Sequence, residues 1–201
     1  VGPGLGRDPK LQNLARVAIE EARAAELYLV VDADGLWLVQ NDPKTVQGYK
    51  RAVLTPNVVE FGRLCDAMVR LWLTQNIDRK DPNKTAQLLS EALGGVTILE
   101  KGGVDRIATP TEVAISDIEG GLKRCGGQGD LLSGTLGTFL AWAQRYKERG
   151  LTEIPEERLT LVAAYGASSV TRMTSHIGFE RMGRSMLTHD LLADIGTAYD
   201  R

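Results

Sequence analysis

Short apolar runs that alternate with longer helical patterns constrain the fold of this chain more than any other feature. The runs at 27–31, 52–55 and 96–100 are continuous rather than alternating, which is typical of strands buried on both faces of a parallel sheet. The stretch at 8–26 predicts an amphipathic helix with one apolar stripe, formed by Leu11, Leu14, Val17, Ala18 and Ala22. Strands and helices in alternation predict an α/β layered fold.

The second half of the chain has a different pattern. Residues 105–116 predict two short strands around a turn that contains Pro110, and therefore an antiparallel hairpin. Only about three core parallel strands are visible, fewer than such sheets usually carry. Because the chain also begins at Val1 inside a Gly-rich turn, we expect an N-terminally truncated domain.

Further helices are predicted from about Asp130, from about Arg158 and over 189–200. The polar segments at 74–85 and 148–157 predict loops. Small residues inside the second of these helices, in the segment VAAYGASS, either let the helix pack closely or leave room for a purine.

Length and composition predict one soluble domain over residues 1–201, with 43% hydrophobic residues. The net charge is -2, and Lys and Arg are spread among the acids, so we expect neither nucleic acid nor a membrane as a partner. Cys65 and Cys125 match neither a zinc spacing nor a disulfide framework.

The motif RCGGQGDLLSG at 124–134 carries the strongest chemical signal. Its glycines leave backbone N–H groups unobstructed where a helix begins, and such a helix start is an anion cradle. The motif lacks the Lys-Ser/Thr pair of a P-loop, and no strand runs directly into a GxGxxG pattern. Asp130, beside a phosphate cradle, is suited to accept the proton of an attacking hydroxyl. The alternative is that Asp130 only caps the helix and complements its dipole.

Polar residues follow each of the three predicted strands: Asp32 and Asp34, then Asn57 and Glu60, then Lys101. Asn57 and Glu60 have the spacing of a capping box, which is a sufficient structural explanation for both. All three turns nevertheless lie at the carboxyl edge of the predicted sheet, where open α/β folds bind ligands. Carboxylates suit magnesium and Lys101 suits phosphate, so the set indicates magnesium-nucleotide chemistry. Lys101 could equally face solvent.

Taken in order, the motifs VGPGLG, VVDADGL, LTPNVVEF, LEKGG and RCGGQGDLLSG resemble the NAD(P)H-hydrate dehydratase family of ribokinase-like proteins, also called the carbohydrate kinase domain family. The resemblance runs from Val1 to about Tyr199. It implies a three-layer αβα sandwich with a mostly parallel central sheet. It also implies removal of water from the S epimer of hydrated NADH or NADPH, coupled to hydrolysis of ATP in the presence of Mg²⁺.

The same resemblance implies residue roles, motif by motif. Asp130 would be the base that faces the hydrate's hydroxyl, and Gly127 and Gly129 would stabilise the transferring phosphoryl group. The ATP contacts would be Lys101, Gly102, Gly103, Val104, Asp105, Gly120, Gly121, Leu122, Lys123, Arg124, Cys125, Gly126 and Gln128. The hydrate contacts would be Gly6, Asp34, Asn57, Val58, Val59, Glu60, Phe61, Gly62 and Arg63. Glu60 would also lie near magnesium, through a water molecule.

Further expectations from the resemblance concern the setting of the protein. They are a cytoplasmic location, with a mitochondrial one in addition, a functional link to an epimerase of the hydrate, and assembly into a homo-oligomer. Two other functions stay open: a small-molecule kinase of the same fold, and a nucleotide-binding module without catalysis.

Overall fold

A computed structural model describes residues 1–71 and 79–201. Within these ranges five strands form one sheet in the order β1-β2-β3-β4-β5. The sheet is parallel from β1 to β3 and antiparallel from β3 to β5, so β1, β2, β3 and β5 run in one direction. The predicted hairpin and the mostly parallel sheet are therefore confirmed. The strands are β1 (Leu29–Val31), β2 (Ala52–Leu54), β3 (Thr97–Glu100), β4 (Asp105–Ala108) and β5 (Val113–Ser116).

Helices cover both faces of this sheet. The helices of the described ranges are α1 (Pro9–Ala24), α2 (Asp34–Asn41), α3 (Val58–Arg70), α4 (Pro82–Ala92), α5 (Gln128–Glu148), α6 (Leu159–Met182), α7 (Thr188–Leu191) and α8 (Ile195–Tyr199). One apolar cluster joins the sheet to α1, α2, α3 and α4, and a second joins it to α5 and α6. Neighbouring residues of β2 show the division, since Leu54 belongs to the first cluster and Val53 to the second. The predicted three-layer sandwich is confirmed.

The predicted apolar stripe of α1 is wrong. Leu11, Leu14 and Val17 are 44%, 67% and 45% exposed, Ala18 is exposed as well, and Ala22 is half-buried against the core. The helix instead buries the neighbouring stripe, formed by Gln12, Ala15 and Ile19. Polar contacts explain the choice of face, because Gln12 Nε2 donates to the carbonyl of Gly6 at 2.6 Å and Arg23 donates to the carbonyl of Thr45 at 2.9 Å.

The loop predicted at 74–85 is wrong at its end. Residues 82–85 begin α4, where Pro82 occupies the first turn and Asp81 is the N-cap, accepting from the N–H of Asn83 at 2.9 Å. Residues 74–78 of this prediction lie outside the described residues. The second predicted loop is confirmed for residues 149–155, between α5 and a 3-10 turn.

The helix predicted over 189–200 is interrupted. A 3-10 turn at Leu192–Asp194 separates α7 from α8. The helix predicted from about Arg158 is confirmed, as α6 begins at Leu159. No helix of the described ranges is long and apolar enough to cross a membrane.

Close packing between α5 and α6 answers the question raised by the small residues of α6. A Cβ atom at Gly166 would lie 2.8 Å from the ring of Phe139 on α5. Ala163, Ala164 and Ala167 are buried in the cluster between these helices and the sheet. This arrangement favours the packing interpretation over room for a purine.

Candidate active site

The carboxyl ends of β1, β2 and β3 meet at one edge of the sheet. Asp32 follows β1 directly, and Asn57 pairs with Lys101 in an isolated parallel bridge beyond β2 and β3. The N–H of Lys101 donates to the carbonyl of Pro56 at 2.8 Å. The strand-end residues predicted to converge therefore do lie at the same edge.

Asp32 and Lys101 form an ion pair at this edge. Lys101 Nζ lies 2.9 Å from Asp32 Oδ1, and the Asp32 carboxylate is buried. The N–H of Ala33 donates to the same oxygen at 2.8 Å. Ala33 has φ 48° and ψ -121°, a backbone conformation that non-glycine residues rarely adopt and that is often found at functional sites. Sequence reasoning named the charged residues but did not foresee that they pair.

The Gly-rich motif forms the start of α5. Gly127 is the N-cap with φ 92°, and the helix begins at Gln128, two residues earlier than predicted. The N–H groups of Gln128 and Gly129 lie in the first turn, where a helix offers no intrahelical acceptor. A Cβ atom at Gly129 would lie 3.6 Å from Asp32 Oδ2 and 3.8 Å from Lys101 Nζ. The N-terminus of α5 is therefore in contact with the ion pair.

Asp130 lies in the first turn of α5 and is exposed. The capping part of the alternative interpretation is wrong, because Gly127 occupies the N-cap and has no side chain with which to cap, whereas Asp130 in the first turn does complement the helix dipole. The backbone carbonyl of Asp130 accepts from Ser133 Oγ, whereas no residue of the described ranges bonds its carboxylate. A carboxylate at this position is stabilised by the helix dipole and is free to bind a ligand.

Two adjoining cavities of about 520 and 480 Å³ lie along the Gly-rich loops. They share Gly102, Arg124, Gln128 and Thr171. Most of the predicted ATP contacts line one or both: Lys101, Gly102, Gly103, Asp105, Gly120, Gly121, Leu122, Lys123, Arg124, Cys125 and Gln128. Val104 and Gly126 line neither of the two.

The first of these cavities also contains part of the predicted hydrate site. Asn57, Val58 and Val59 line it together with Lys101 and Gly129. Val58 and Val59 are 61% and 60% exposed, so their apolar surface is available to a ligand. The other predicted hydrate contacts do not line this cavity: Gly6, Asp34, Glu60, Phe61, Gly62 and Arg63.

The capping box predicted for α3 is confirmed. Asn57 Oδ1 accepts from the N–H groups of Val59 and Glu60, each at 3.0 Å, and Glu60 Oε2 accepts from the N–H of Asn57 at 2.8 Å. The side chain of Phe61 is buried in the core, so only its backbone can meet a ligand.

Gly6 and Asp34 lie together at the start of α2. The N–H of Gly6 donates to Asp34 Oδ2 at 2.9 Å, and Arg7 Nε donates to Asp34 Oδ1 at 3.3 Å. Asp34 therefore anchors the first Gly-rich turn to α2.

A larger, mainly apolar cavity of about 740 Å³ lies on the other side of the α5 N-terminus. Asp130 and Gly127 line it at one end, and an aromatic cluster of Phe139, Trp142 and Tyr199 lines the other. Asp130 lines this cavity, whereas Gly129 lines the smaller one beside Lys101. Sequence reasoning missed the cavity because its wall comes from helices distant in sequence.

Thr188 of α7 anchors the Gly-rich loop from outside. Its hydroxyl donates to the carbonyl of Gly126 and to Cys125 Sγ, the latter at 3.2 Å. A Cβ atom at Gly127 would lie 3.2 Å from the Thr188 methyl group. Thr188 thus holds the loop whose glycines are predicted to cradle a phosphoryl group, and nothing in the sequence signals this contact.

Two buried groups behind the site have displaced pKa values. Burial raises the pKa of Glu100, the residue before Lys101, and the nearby Arg106 guanidinium opposes this rise. Burial also raises the pKa of Cys65 to about 12. In both groups burial disfavours the charged form relative to the same group in water.

Metal ligands are sparse at this edge. Across residues 1–71 and 79–201, no group of three His, Cys, Asp or Glu side chains is arranged to hold a metal ion. Asp32 is paired with Lys101, and one oxygen of Glu60 holds the N–H of Asn57. The residues present fit an outer, water-mediated contact better than direct coordination by the chain.

Comparison with known sequences identifies one family. The sequence profile of the NAD(P)H-hydrate dehydratase family matches residues 1–196. Curated relatives named ATP-dependent (S)-NAD(P)H-hydrate dehydratase include proteins of Mycosarcoma maydis, 49% identical, and of Rattus norvegicus, 44% identical, each matched by 100% of this chain. The chain spans 59% and 57% of the lengths of these two relatives.

Solved structures share the fold at low identity. A ribokinase-like superfamily protein from Enterococcus faecalis aligns with a TM-score of 0.66 at 20% identity, over 100% of this chain and 61% of that chain. A hydroxyethylthiazole kinase protein from Pyrococcus horikoshii aligns with a TM-score of 0.69 at 15% identity, over 98% and 69%. The fold, the ordered motifs at one strand edge and the match over residues 1–196 lead to one conclusion: the chain belongs to the NAD(P)H-hydrate dehydratase family.

Proposed function

We propose that this chain carries the active site of an ATP-dependent dehydratase that acts on the S epimer of hydrated NADH or NADPH. The observation that carries the proposal is the arrangement around the N-terminus of α5. The Lys101 ammonium adjoins Gly129 on one side of this helix start, where Gln128 and Gly129 present their N–H groups, and Asp130 lines the cavity of about 740 Å³ on the other. The activity is the one named for the curated relatives.

The chemistry begins with phosphoryl transfer. Asp130 accepts the proton of the hydrate's hydroxyl while the hydroxyl oxygen attacks the γ-phosphorus of ATP. The new O–P bond forms as the bond from the γ-phosphorus to the β–γ bridging oxygen breaks, and ADP leaves with that electron pair. Lys101 and the N–H groups of Gln128 and Gly129 stabilise the negative charge on the transferring group.

Elimination completes the reaction. The hydroxyl has become a phosphate ester. The phosphate departs from the nicotinamide ring and takes the electron pair of the C–O bond with it. The neighbouring ring carbon loses a proton to water, and the C=C double bond of the dihydronicotinamide is restored. ATP and the hydrate are thereby converted into ADP, phosphate and NADH or NADPH, so that a kinase fold serves a lyase.

Placement of the two substrates follows from the cavities. ATP is proposed to lie along the Gly-rich loops, in the adjoining cavities of about 520 and 480 Å³. The hydrate is proposed to approach the α5 N-terminus from the turn at Asn57, where Val58 and Val59 expose apolar surface. Asp130 lines the cavity of about 740 Å³ on the other side of this helix start, so we propose that the hydroxyl end of the hydrate reaches past the α5 N-terminus to meet it.

Magnesium would enter with the nucleotide. When bound, Mg²⁺ supplies charge neutralisation for the ATP phosphates and keeps most of its own waters. Glu60, which has one carboxylate oxygen engaged with Asn57, would hold one of those waters.

We also propose that an epimerase supplies the S form, because only one epimer is a substrate. A cytoplasmic location, with a mitochondrial one in addition, and homo-oligomer assembly are proposed on the family resemblance alone.

Asp130→Asn tests this proposal. Loss of the base should abolish turnover of the hydrate while the affinity for ATP stays within a few fold of wild type, since the amide keeps the size of the side chain. Glu148→Gln, an exposed carboxylate at the far end of α5, is the matched control and should change neither quantity. An unchanged rate in Asp130→Asn would refute the base role. A stable phosphorylated product in wild type, in place of free phosphate, would favour a small-molecule kinase.

A further inference from the structure

Arg172 on α6 joins two of the loops that border the cavities of about 520 and 480 Å³. Its Nε donates to the carbonyl of Ile118, and its Nη2 donates to the carbonyl of Gly103. Its Nη1 donates to Asp105 Oδ1 at 3.2 Å and to the carbonyl of Gly102 at 3.4 Å. The side chain is 15% exposed, so a single guanidinium fixes backbone from both loops in a largely buried position.

Two serines of α6 extend this contact. Ser168 lies four residues before Arg172, and its Oγ donates to Asp105 Oδ2 at 2.7 Å. Ser175 lies three residues after it, and its Oγ accepts from the N–H of Gly121 at 3.3 Å. Residues at this spacing share one helix face. One polar face of α6 therefore holds both the turn after β3 and the loop that leads to α5.

The approach at Gly121 is too close for any side chain. A Cβ atom there would lie 2.4 Å from the carbonyl oxygen of Ser175 and 2.8 Å from Phe179 Cβ. The loop is thus seated on α6 backbone, and its position depends on that of α6. This fixed seating is what a phosphate-binding loop needs, because its N–H groups must point at the ligand before the ligand arrives.

Charge adds a second role. The carboxylate of Asp105 is 9% exposed and is paired with Arg172. Without the guanidinium, a buried carboxylate would be left uncompensated beside a cleft proposed to hold a triphosphate. Both effects of losing Arg172, looser loops and unbalanced negative charge, weaken binding of an anionic nucleotide.

We propose that Arg172 is a positioning residue for the nucleotide, which acts through the turn at Gly102 and Gly103 and through the loop that begins at Ile118. Arg172 lines the cavity of about 480 Å³, and its guanidinium is engaged by loop carbonyls and by Asp105, so its role is to hold the loops rather than to act on the reacting atoms. The inference rests on the proposed function in one respect only, that ATP occupies the cleft between these loops.

The test is titration calorimetry of Mg-ATP binding to wild type, Arg172→Met and Arg172→Lys. Arg172→Met should raise the Kd for ATP by about tenfold or more, since several hydrogen bonds from a charged donor are lost. Arg172→Lys keeps the charge but loses the planar fork, and should raise the Kd by about fivefold. The KM for the hydrate should stay within about twofold of wild type, a split that general loosening of the protein would not produce.

Arg158→Met is the matched control. Arg158 is the N-cap of α6 and makes a two-pronged contact with Glu112 at 2.7 and 2.9 Å, outside the cleft. Its loss should leave the Kd for ATP unchanged. In Arg172→Gly, millimolar guanidinium ion should restore part of the ATP affinity by occupying the vacated space. If Arg172→Met does not fold, the ATP affinity of Arg172→Lys and its recovery by guanidinium in Arg172→Gly test the inference instead.

ATP affinities of the Arg172 variants within twofold of wild type would overturn the inference. An equal rise in the KM for the hydrate would also overturn it, since the effect would then not be specific to the nucleotide. Wild type that binds ATP but never dehydrates the hydrate would refute the proposed function and leave the Arg172 comparison valid. Wild type that binds no ATP would refute both.

Discussion

Lys101 Nζ lies 2.9 Å from Asp32 Oδ1, so a buried carboxylate at the end of β1 holds the ammonium that follows β3. Without that partner the long Lys side chain would sample several rotamers. The pair therefore fixes one positive charge beside Gly129. A Cβ atom added to Gly129 would lie 3.8 Å from Lys101 Nζ. Asp32 has this role although the family resemblance assigned it none.

Asp32→Asn should lower kcat by about tenfold to a hundredfold, because a hydrogen bond to a charged group contributes about 1.5 to 3 kcal/mol. The measurement is a double-mutant cycle with Lys101→Met. If Asp32 acts through Lys101, then Asp32→Asn should have little further effect in the Lys101→Met background. Asp66→Asn, an exposed acid on α3, serves as the control. Fully additive effects of the two substitutions would show that Asp32 acts independently of Lys101.

The two cysteines should differ in reactivity. Cys65 is fully buried with a pKa of about 12, whereas Cys125 is partly exposed in the loop proposed to contact ATP. At about pH 8, iodoacetamide should modify Cys125 and leave Cys65 intact, because the thiolate is the reactive form. Saturating Mg-ATP should slow modification of Cys125 severalfold, as measured by mass spectrometry of the peptides.

Cys125→Ser provides the control for this labelling and should take up no reagent. Labelling of Cys65 as fast as Cys125 would contradict the burial of Cys65. A rate at Cys125 that ATP leaves unchanged would place the nucleotide elsewhere.

Glu100 should make stability depend on pH. Burial raises its pKa above the ordinary value of 4.5, so the folded state binds a proton that the unfolded state releases. Its contribution to stability is complete below pH 4.5 and is lost as the pH rises through the folded pKa. Glu100→Gln removes this titration, so the Tm of wild type should fall relative to that of the variant as the pH rises from 4.5 toward neutral.

Thermal melts of both proteins across this range check the prediction. Glu91→Gln, an exposed acid on α4, should give a Tm profile parallel to that of wild type. A parallel profile for Glu100→Gln as well would show that the Glu100 carboxyl titrates normally in the folded state.

The polar edge of the sheet could be predicted from the sequence because the residues that mark it are close to the strands along the chain. Each run of apolar residues ends at a polar one, and the carboxyl ends of parallel strands must meet. Asp32, Asn57 and Lys101 could therefore be predicted to lie at the same edge of the sheet. The pairing of Lys101 with Asp32 could not be predicted, since 69 positions separate them and only the sheet order makes them neighbours.

Features that depend on tertiary contacts were missed or wrong. The exposed stripe of α1 contains Leu11 and Leu14, and periodicity alone favoured it over the buried stripe that begins at Gln12. Hydrogen bonds from Gln12 to Gly6 and from Arg23 to Thr45 favour the buried face, and the hydrophobic periodicity of the sequence contains no sign of them. Arg172 was missed for the same reason, because its partners lie 54 to 70 positions away.

We propose that the start of α5, with Lys101 and Asp130 on its two sides, dehydrates the S epimer of hydrated NADH at the expense of ATP. The most direct test of this proposal is to incubate purified protein with the hydrate, ATP and Mg²⁺ while following the absorbance of the reduced nicotinamide. We expect the absorbance of NADH to return, with one ADP and one phosphate released for each NADH restored. No return of absorbance with the S epimer, while calorimetry shows that ATP is bound, would contradict the proposal.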